Sequence, residues 1–185
     1  DISSEEVDVS QLEDDSQFQE IEEEVEETPE PTPKLKGKKV AIDAGHQSVG
    51  DSSTEPVGPG ASERKAKVAG RATGIRTGIP EYKLTLEIAK KLKKELKNRG
   101  YEVFMVRTKN DVNISNAERA VAVNKSGADI CIRIHADGVD DHSVRGASAL
   151  YPTKANPYVS HLSKPSQKLS NCVLNSYCAK TGIRN

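Results

Sequence analysis

Val40-Ala41-Ile42-Asp43-Ala44-Gly45-His46 is a short apolar run that stops in a Gly-His turn, and Ile130-Cys131-Ile132-Arg133-Ile134-His135-Ala136-Asp137 is a second run that also closes on histidine. Each is the length of one buried strand, too short for a helix. Between them lies a clear helical period that opens on Glu81. Strand, helix and strand in alternation predict an α/β domain with a mostly parallel, twisted sheet flanked by helices. In such sheets ligands gather outside the carboxyl ends of the strands. Both histidines are expected there.

Working outward, Lys38 to Ile42 is read as the first strand. Residues 44–80 are rich in Gly, Pro, Ser and Thr and long for a connection, which marks a functional or mobile loop; Ala61 to Ala69 within it is read as one or two helical turns. Glu81 to Arg99 carries Leu84, Ile88, Leu92 and Leu96 at intervals of four, with Ala89 beside them, and Gly100 supplies the C-terminal stop. Tyr101 to Val106 follows as a strand. Ser115-Asn116-Ala117-Glu118 has the form of a capping box opening a helix to about Lys125, which Gly127 ends. Beyond Ile130–His135, Ala147 to Tyr151 is expected as a short strand and His161 to Ala179 as a last helix.

The reported net charge of -1 conceals a division. Residues 1–33 hold 14 Asp or Glu and no Lys or Arg; the remaining 14 acids face 27 bases, a net of +13. The acidic part, ending Thr28-Pro29-Glu30-Pro31-Thr32-Pro33, is read as a disordered linker, and residues 34–185 as the folded domain. The linker serves as a spacer or as a loose counter-charge to the basic domain. The chain starts Asp-Ile-Ser without Met, as a processed product would, and an acidic, Pro-rich stalk before a basic domain fits a secreted, wall-located protein. No apolar run is long enough to span a membrane. Three cysteines without regular spacing form no disulfide framework. Cys131 is read as a small core residue, and Cys172 and Cys178 fall on nearly opposite faces of one helix.

His46, Glu81 and His135 make a plausible metal-ligand set. Two imidazoles and one carboxylate suit zinc and leave a fourth position open. Singly, each has an ordinary explanation: a satisfied strand-end histidine, or a favourable charge on a helix dipole. Their meeting at one sheet edge favours the metal. Asp43 and Asp137 are the candidate general bases, and the orienting of a ligand histidine is the role favoured for either. Glu87 and Glu118 lie too far along their helices, and His142 and His161 are assigned to the surface. The loop's Arg64, Lys65, Lys67, Arg71 and Arg76 form either a solvated rim or one that attracts an anionic polymer. Nucleic acid is a poor match, because no aromatic platform accompanies these bases.

The same residues resemble the zinc-dependent N-acetylmuramoyl-L-alanine amidases of bacterial cell walls. The resemblance runs through Val40 to His46, Glu81 with Leu84-Thr85-Leu86-Glu87-Ile88-Ala89, Arg107-Thr108, Glu118-Arg119-Ala120, Asn124 and Ile134-His135-Ala136. It implies zinc on His46, Glu81 and His135, and cleavage of the amide between the muramic acid lactyl group and L-alanine of peptidoglycan. Arg119 matches a recurring family position of undefined role. Relatives often follow the first histidine with glycines, whereas Gln47-Ser48-Val49 stands here. They also carry a catalytic glutamate on a later strand, which would fall beyond Asn185. The domain is therefore expected to be incomplete at its C-terminus, and to bind metal yet hydrolyse poorly as it stands. The rival expectation is a non-catalytic wall-binding module, in which the basic domain grips anionic polymers and the ligand cluster is structural or vestigial.

Overall fold

In the computed structural model, residues 37–70, 72–138, 141 and 143–184 are described. The expected linker, residues 1–33, lies outside them, as do Arg71 and His142. So does Asn185. Among the described residues no helix is long and apolar enough to cross a membrane.

The domain is α/β. Three parallel strands, β1 (Lys39–Ala44), β4 (Glu102–Met105) and β5 (Ile130–Ile134), lie in the order β4-β1-β5. The chain passes from β1 through helix α1 (Glu81–Asn98) to β4 on one side. It then returns through helix α2 (Asn116–Lys125) to β5 on the other side of β1. This reversal makes a crevice at the carboxyl ends of β1 and β5, the place where open α/β sheets bind ligands. Both histidine-bearing strands end in it.

One face of β1 presents Val40, Ile42 and Ala44 to α1, whose Leu86 and Ala89 complete the buried core, with Leu92, Leu96, Val103, Met105, Ile132 and Ile134 packed around it. The expected helical stripe is corrected here. Leu84 and Ile88 are partly exposed, and Thr85, Leu86 and Ala89 are buried instead. A spacing of four overshoots the helical turn by about 40° each time, so a stripe drawn through every fourth residue rotates off the sheet. Glu81, one turn before Thr85, falls on the buried side.

Residues 61–69 are not helical. Strand β3 (Arg64–Val68) pairs antiparallel with β2 (Asp51–Pro56), and the Arg64 guanidinium grips both the hydroxyl and the carbonyl of Thr54 at 2.9 and 2.7 Å. The Gly58-Pro59-Gly60 reversal, with Gly60 at φ 73°, folds the loop on itself, and cross-strand pairing overrides the helix preference of the alanines. The hairpin is fastened to α2 by buried Glu55, which accepts from the Ala117 N–H at 3.0 Å, and by Asn116, which donates to the Lys67 carbonyl at 2.8 Å.

Residues 147–151 form no strand: Leu150 is solvent-exposed, and the Ala147 N–H goes to the Arg184 carbonyl at 2.8 Å. Cys131 is exposed, not core, because β5 is an edge strand that turns Ile132 and Ile134 toward α1 and Cys131 and Arg133 the other way. The capping box at Ser115 and Glu118 is present as expected. The last helix, α3 (Ser163–Thr181), follows a single 3-10 turn at Ser160–Leu162.

Candidate metal centre

His46, Glu81 and His135 come together at the β1/β5 crevice, with one potential ligand atom from each lying within 4.8 Å of the others. His46 Nε2 is 3.2 Å from one Glu81 carboxylate oxygen, and His135 Nδ1 is 3.1 Å from the other. The rings meet edge to face, with centroids 4.8 Å apart. Glu81 is buried, while about a third of the His135 side chain faces solvent, so the cluster has a closed floor and an open side.

Gly45 makes this approach possible. Its N–H donates to the Ile134 carbonyl at 2.8 Å, and a Cβ there would stand 2.6 Å from both that oxygen and His135 Cε1. His46 follows with φ 58°, the single non-glycine residue with positive φ among the described residues.

Burial opposes the charge on Glu81. The Ala136 N–H at 2.8 Å, the neighbouring histidines and the Ala72 N–H outweigh it, and hold the carboxyl below its usual range. For His46, burial also dominates and pushes the imidazole pKa down, despite the carboxylate beside it, so the ring is neutral near pH 7. A neutral ring protonated on the nitrogen nearer the Ala69 carbonyl turns a lone pair toward Glu81. An imidazole lone pair facing a carboxylate in a half-closed site is a donor set that a cation satisfies. The residues present therefore fit a zinc-type ion.

Asp43 orients neither histidine directly, which corrects the sequence expectation. It is buried, receives Arg119 Nη1 at 2.6 Å, and lies 3.4 Å from Arg133 Nε. Arg133 in turn donates to His135 Nε2 at 3.1 Å and to Asn116 Oδ1 at 2.6 Å. Asp137 is exposed. Glu87 pairs with Lys91 and Glu118 stays in its capping box, both away from the cluster. His161 is exposed.

Sequence reasoning named Arg107, Gln47 and Arg119 but gave none of them a role. Both arginines are buried. Arg107 donates to the carbonyls of Ala44, Gly45 and Tyr82 at 2.8, 3.0 and 2.8 Å. Burial, then the nearby Arg119 charge, depress its pKa to about 10, with Asp43 acting in the opposite sense. Gln47, where relatives often place glycine, is buried; its side-chain carbonyl accepts from Arg119 Nη2 and the Ile114 N–H, both at 3.1 Å. The available signal was position: an arginine closing an apolar strand, and another inside a capped helix.

The sequence profile of the family described as N-acetylmuramoyl-L-alanine amidase matches residues 40–184. The chain is 37% identical over 73 residues to the N-acetylmuramoyl-L-alanine amidase AmiA of Salmonella typhimurium, a match that takes in 40% of this chain and a quarter (25%) of that protein's length. Among solved structures, it resembles the N-acetylmuramyl-L-alanine amidase Ami1 of Mycobacterium smegmatis with TM-score 0.69 and 26% identity, over 80% of this chain and 68% of that one. The N-acetylmuramoyl-L-alanine amidase of Clostridium difficile 630 gives TM-score 0.59 and 25% identity, over 80% and 66%. With most of the folded residues inside the family's profile, this chain belongs to the N-acetylmuramoyl-L-alanine amidase family.

Proposed function

We propose that this domain, with zinc held by His46, Glu81 and His135, hydrolyses the amide between the lactyl group of N-acetylmuramic acid and the L-alanine of the peptidoglycan stem peptide, outside the cytoplasmic membrane. The observation that carries the proposal is the three-residue cluster at the β1/β5 crevice. Family membership and the names of the relatives support the reaction.

Mechanism follows from what each side chain does. Glu81 stays ionised because backbone N–H groups of Ala136 and Ala72 point at it. It thereby supplies the one negative charge of the ligand set. His46 remains neutral and His135 keeps an exposed edge, so the two imidazoles offer nitrogen donors while the substrate amide approaches from the solvent side. Held by His46, Glu81 and His135, zinc would supply Lewis-acid chemistry for amide hydrolysis near neutral pH. Glu81 is committed to the cluster and Asp43 to two arginines, so neither accepts the proton of the attacking water. That role falls to a general base other than these two carboxylates.

The test measures zinc per chain by elemental analysis, and stem-peptide release from purified wall by a chain that carries the expected glutamate. One zinc per chain, and loss of both metal and release in His46→Ala or Glu81→Ala, is expected. Undiminished release in either variant would overturn the proposal.

A second reading, binding to anionic wall polymers, draws on charge. Lys83, Lys90, Lys94 and Lys97 are exposed along one solvent-facing stripe of α1, about 21 Å long. Wall binding through this stripe weakens steeply with salt and needs no metal, whereas turnover needs it.

A further inference from the structure

We propose that Arg107 and Arg119 are positioning residues that hold His46 in its left-handed backbone conformation, and so set the affinity of the cluster for a divalent ion. The inference rests on the metal reading above and assigns residues that the reading does not require.

Three successive carbonyls around His46 are gripped by the two guanidinium groups. The Ala44 carbonyl accepts from Arg107 Nε at 2.8 Å and from Arg119 Nη1 at 3.1 Å. The Gly45 carbonyl accepts from Arg107 Nη2 at 3.0 Å and from the Thr85 hydroxyl at 2.8 Å. The His46 carbonyl accepts from Arg119 Nη2 at 3.1 Å. A side-chain-bearing residue at φ 58° stays there only where its surroundings over-determine it. Fixing the carbonyls on both sides fixes the direction in which the His46 ring leaves the backbone.

The same groups tie this turn to the other parts of the cluster. Arg107 reaches the Tyr82 carbonyl at 2.8 Å, within the first turn of α1, whose first residue is Glu81. Arg119 shares Asp43 with Arg133, which contacts His135. Two buried cations around one buried carboxylate are a costly way to fill space, and apolar side chains of similar volume usually serve stability as well or better. What apolar residues lack is the planar fork of donors that spans several carbonyls at once. Lysine lacks it too.

The experiment compares zinc dissociation constants, by chelator competition, for the parent chain, Arg107→Lys, Arg119→Lys and Leu92→Ala. The cobalt-substituted visible spectrum reports ligand geometry, and melting of the metal-free forms reports stability. The arginine variants are expected to bind zinc about 10- to 100-fold more weakly, the range for residues that orient metal ligands, with a changed cobalt spectrum. Leu92→Ala, a destabilising change in the core, leaves affinity within about twofold of the parent. A folded arginine variant with parental affinity and spectrum overturns the inference. If neither arginine variant folds, Thr85→Val removes one donor to the Gly45 carbonyl; weakened zinc binding there supports the inference and parental binding overturns it. A parent chain that takes up no zinc, or keeps it in His135→Ala, defeats the metal assignment and this inference with it. Parental zinc binding that the arginine changes do not affect defeats the inference alone.

Discussion

Asp43 and Arg119, 76 residues apart in sequence, meet in a buried 2.6 Å contact on the side of β1 opposite α1. Arg119 comes from α2, so this contact couples the helix to the strand that delivers His46. Asp43 also lies 3.4 Å from Arg133, the residue that donates to His135. Through Arg119 and Arg133, one buried carboxylate is therefore linked to the surroundings of both histidines, and the cluster stands on a polar network behind the sheet.

Gly45 is the tightest steric point. In Gly45→Ala the new methyl would meet His135 Cε1 and the Ile134 carbonyl oxygen at 2.6 Å, and the latter is backbone that cannot rotate away. Strands β1 and β5 must separate at their ends. A loss of about 1–3 kcal/mol of stability is expected, with zinc uptake falling much further than thermal melting would suggest. Calorimetry and elemental analysis on the same sample check both halves.

Arg133 presents the opposite case. A guanidinium only donates, so His135 Nε2 accepts at 3.1 Å and the ring proton sits on Nδ1, toward Glu81. An ion that takes the Nδ1 lone pair needs the other tautomer, which Arg133 disfavours, and its positive charge repels a dication. Arg133→Ala is expected to tighten zinc binding by up to about tenfold, the size of such a repulsion at about 6 Å in watery surroundings. Weaker binding on chelator titration would instead make Arg133 a support for the ring.

Asp129 anchors the far end of the sheet. It accepts from the Lys39 N–H at 2.8 Å and from the Lys38 ammonium at 3.0 Å, and these contacts, the backbone donor first, hold its carboxyl below the ordinary range. A folded-state pKa below the unfolded one contributes stability above the unfolded value and loses it as pH falls through the folded value. Melting temperatures of the parent and Asp129→Asn should differ at pH 6 and converge in acid, below about pH 4. A constant gap across that range would remove the carboxylate as its cause.

The fold was legible where one local rule sufficed. Val40 to Ile42 and Ile130 to Ile134 read as strands because short β-rich apolar runs have few other uses, and Ser115 with Glu118 read as a helix start because the two residues satisfy each other's backbone. The meeting of His46, Glu81 and His135 was legible because all three residues stand at element ends that an α/β topology brings together. Legibility failed where long-range partners decide. Ala61 to Ala69 has no local mark of the β2 partner that makes part of it a strand, and Cys131 looked buried because sequence shows alternation but not which face is covered. Arg107 and Arg119 could not be assigned, since the Ala44, Gly45 and His46 carbonyls that accept from them lie more than 60 residues away and no residue type announces them.

The placement of β1 in the middle of the three-stranded sheet has a kinetic side. Its amides and carbonyls are paired with β4 along one edge and β5 along the other, so no fraying motion releases them one at a time. Protons on the backbone just ahead of His46 should exchange with deuterated solvent only when the whole domain opens. Removal of an ion from the crevice would then leave the strand beneath it paired, and reloading would start from a frame already in register.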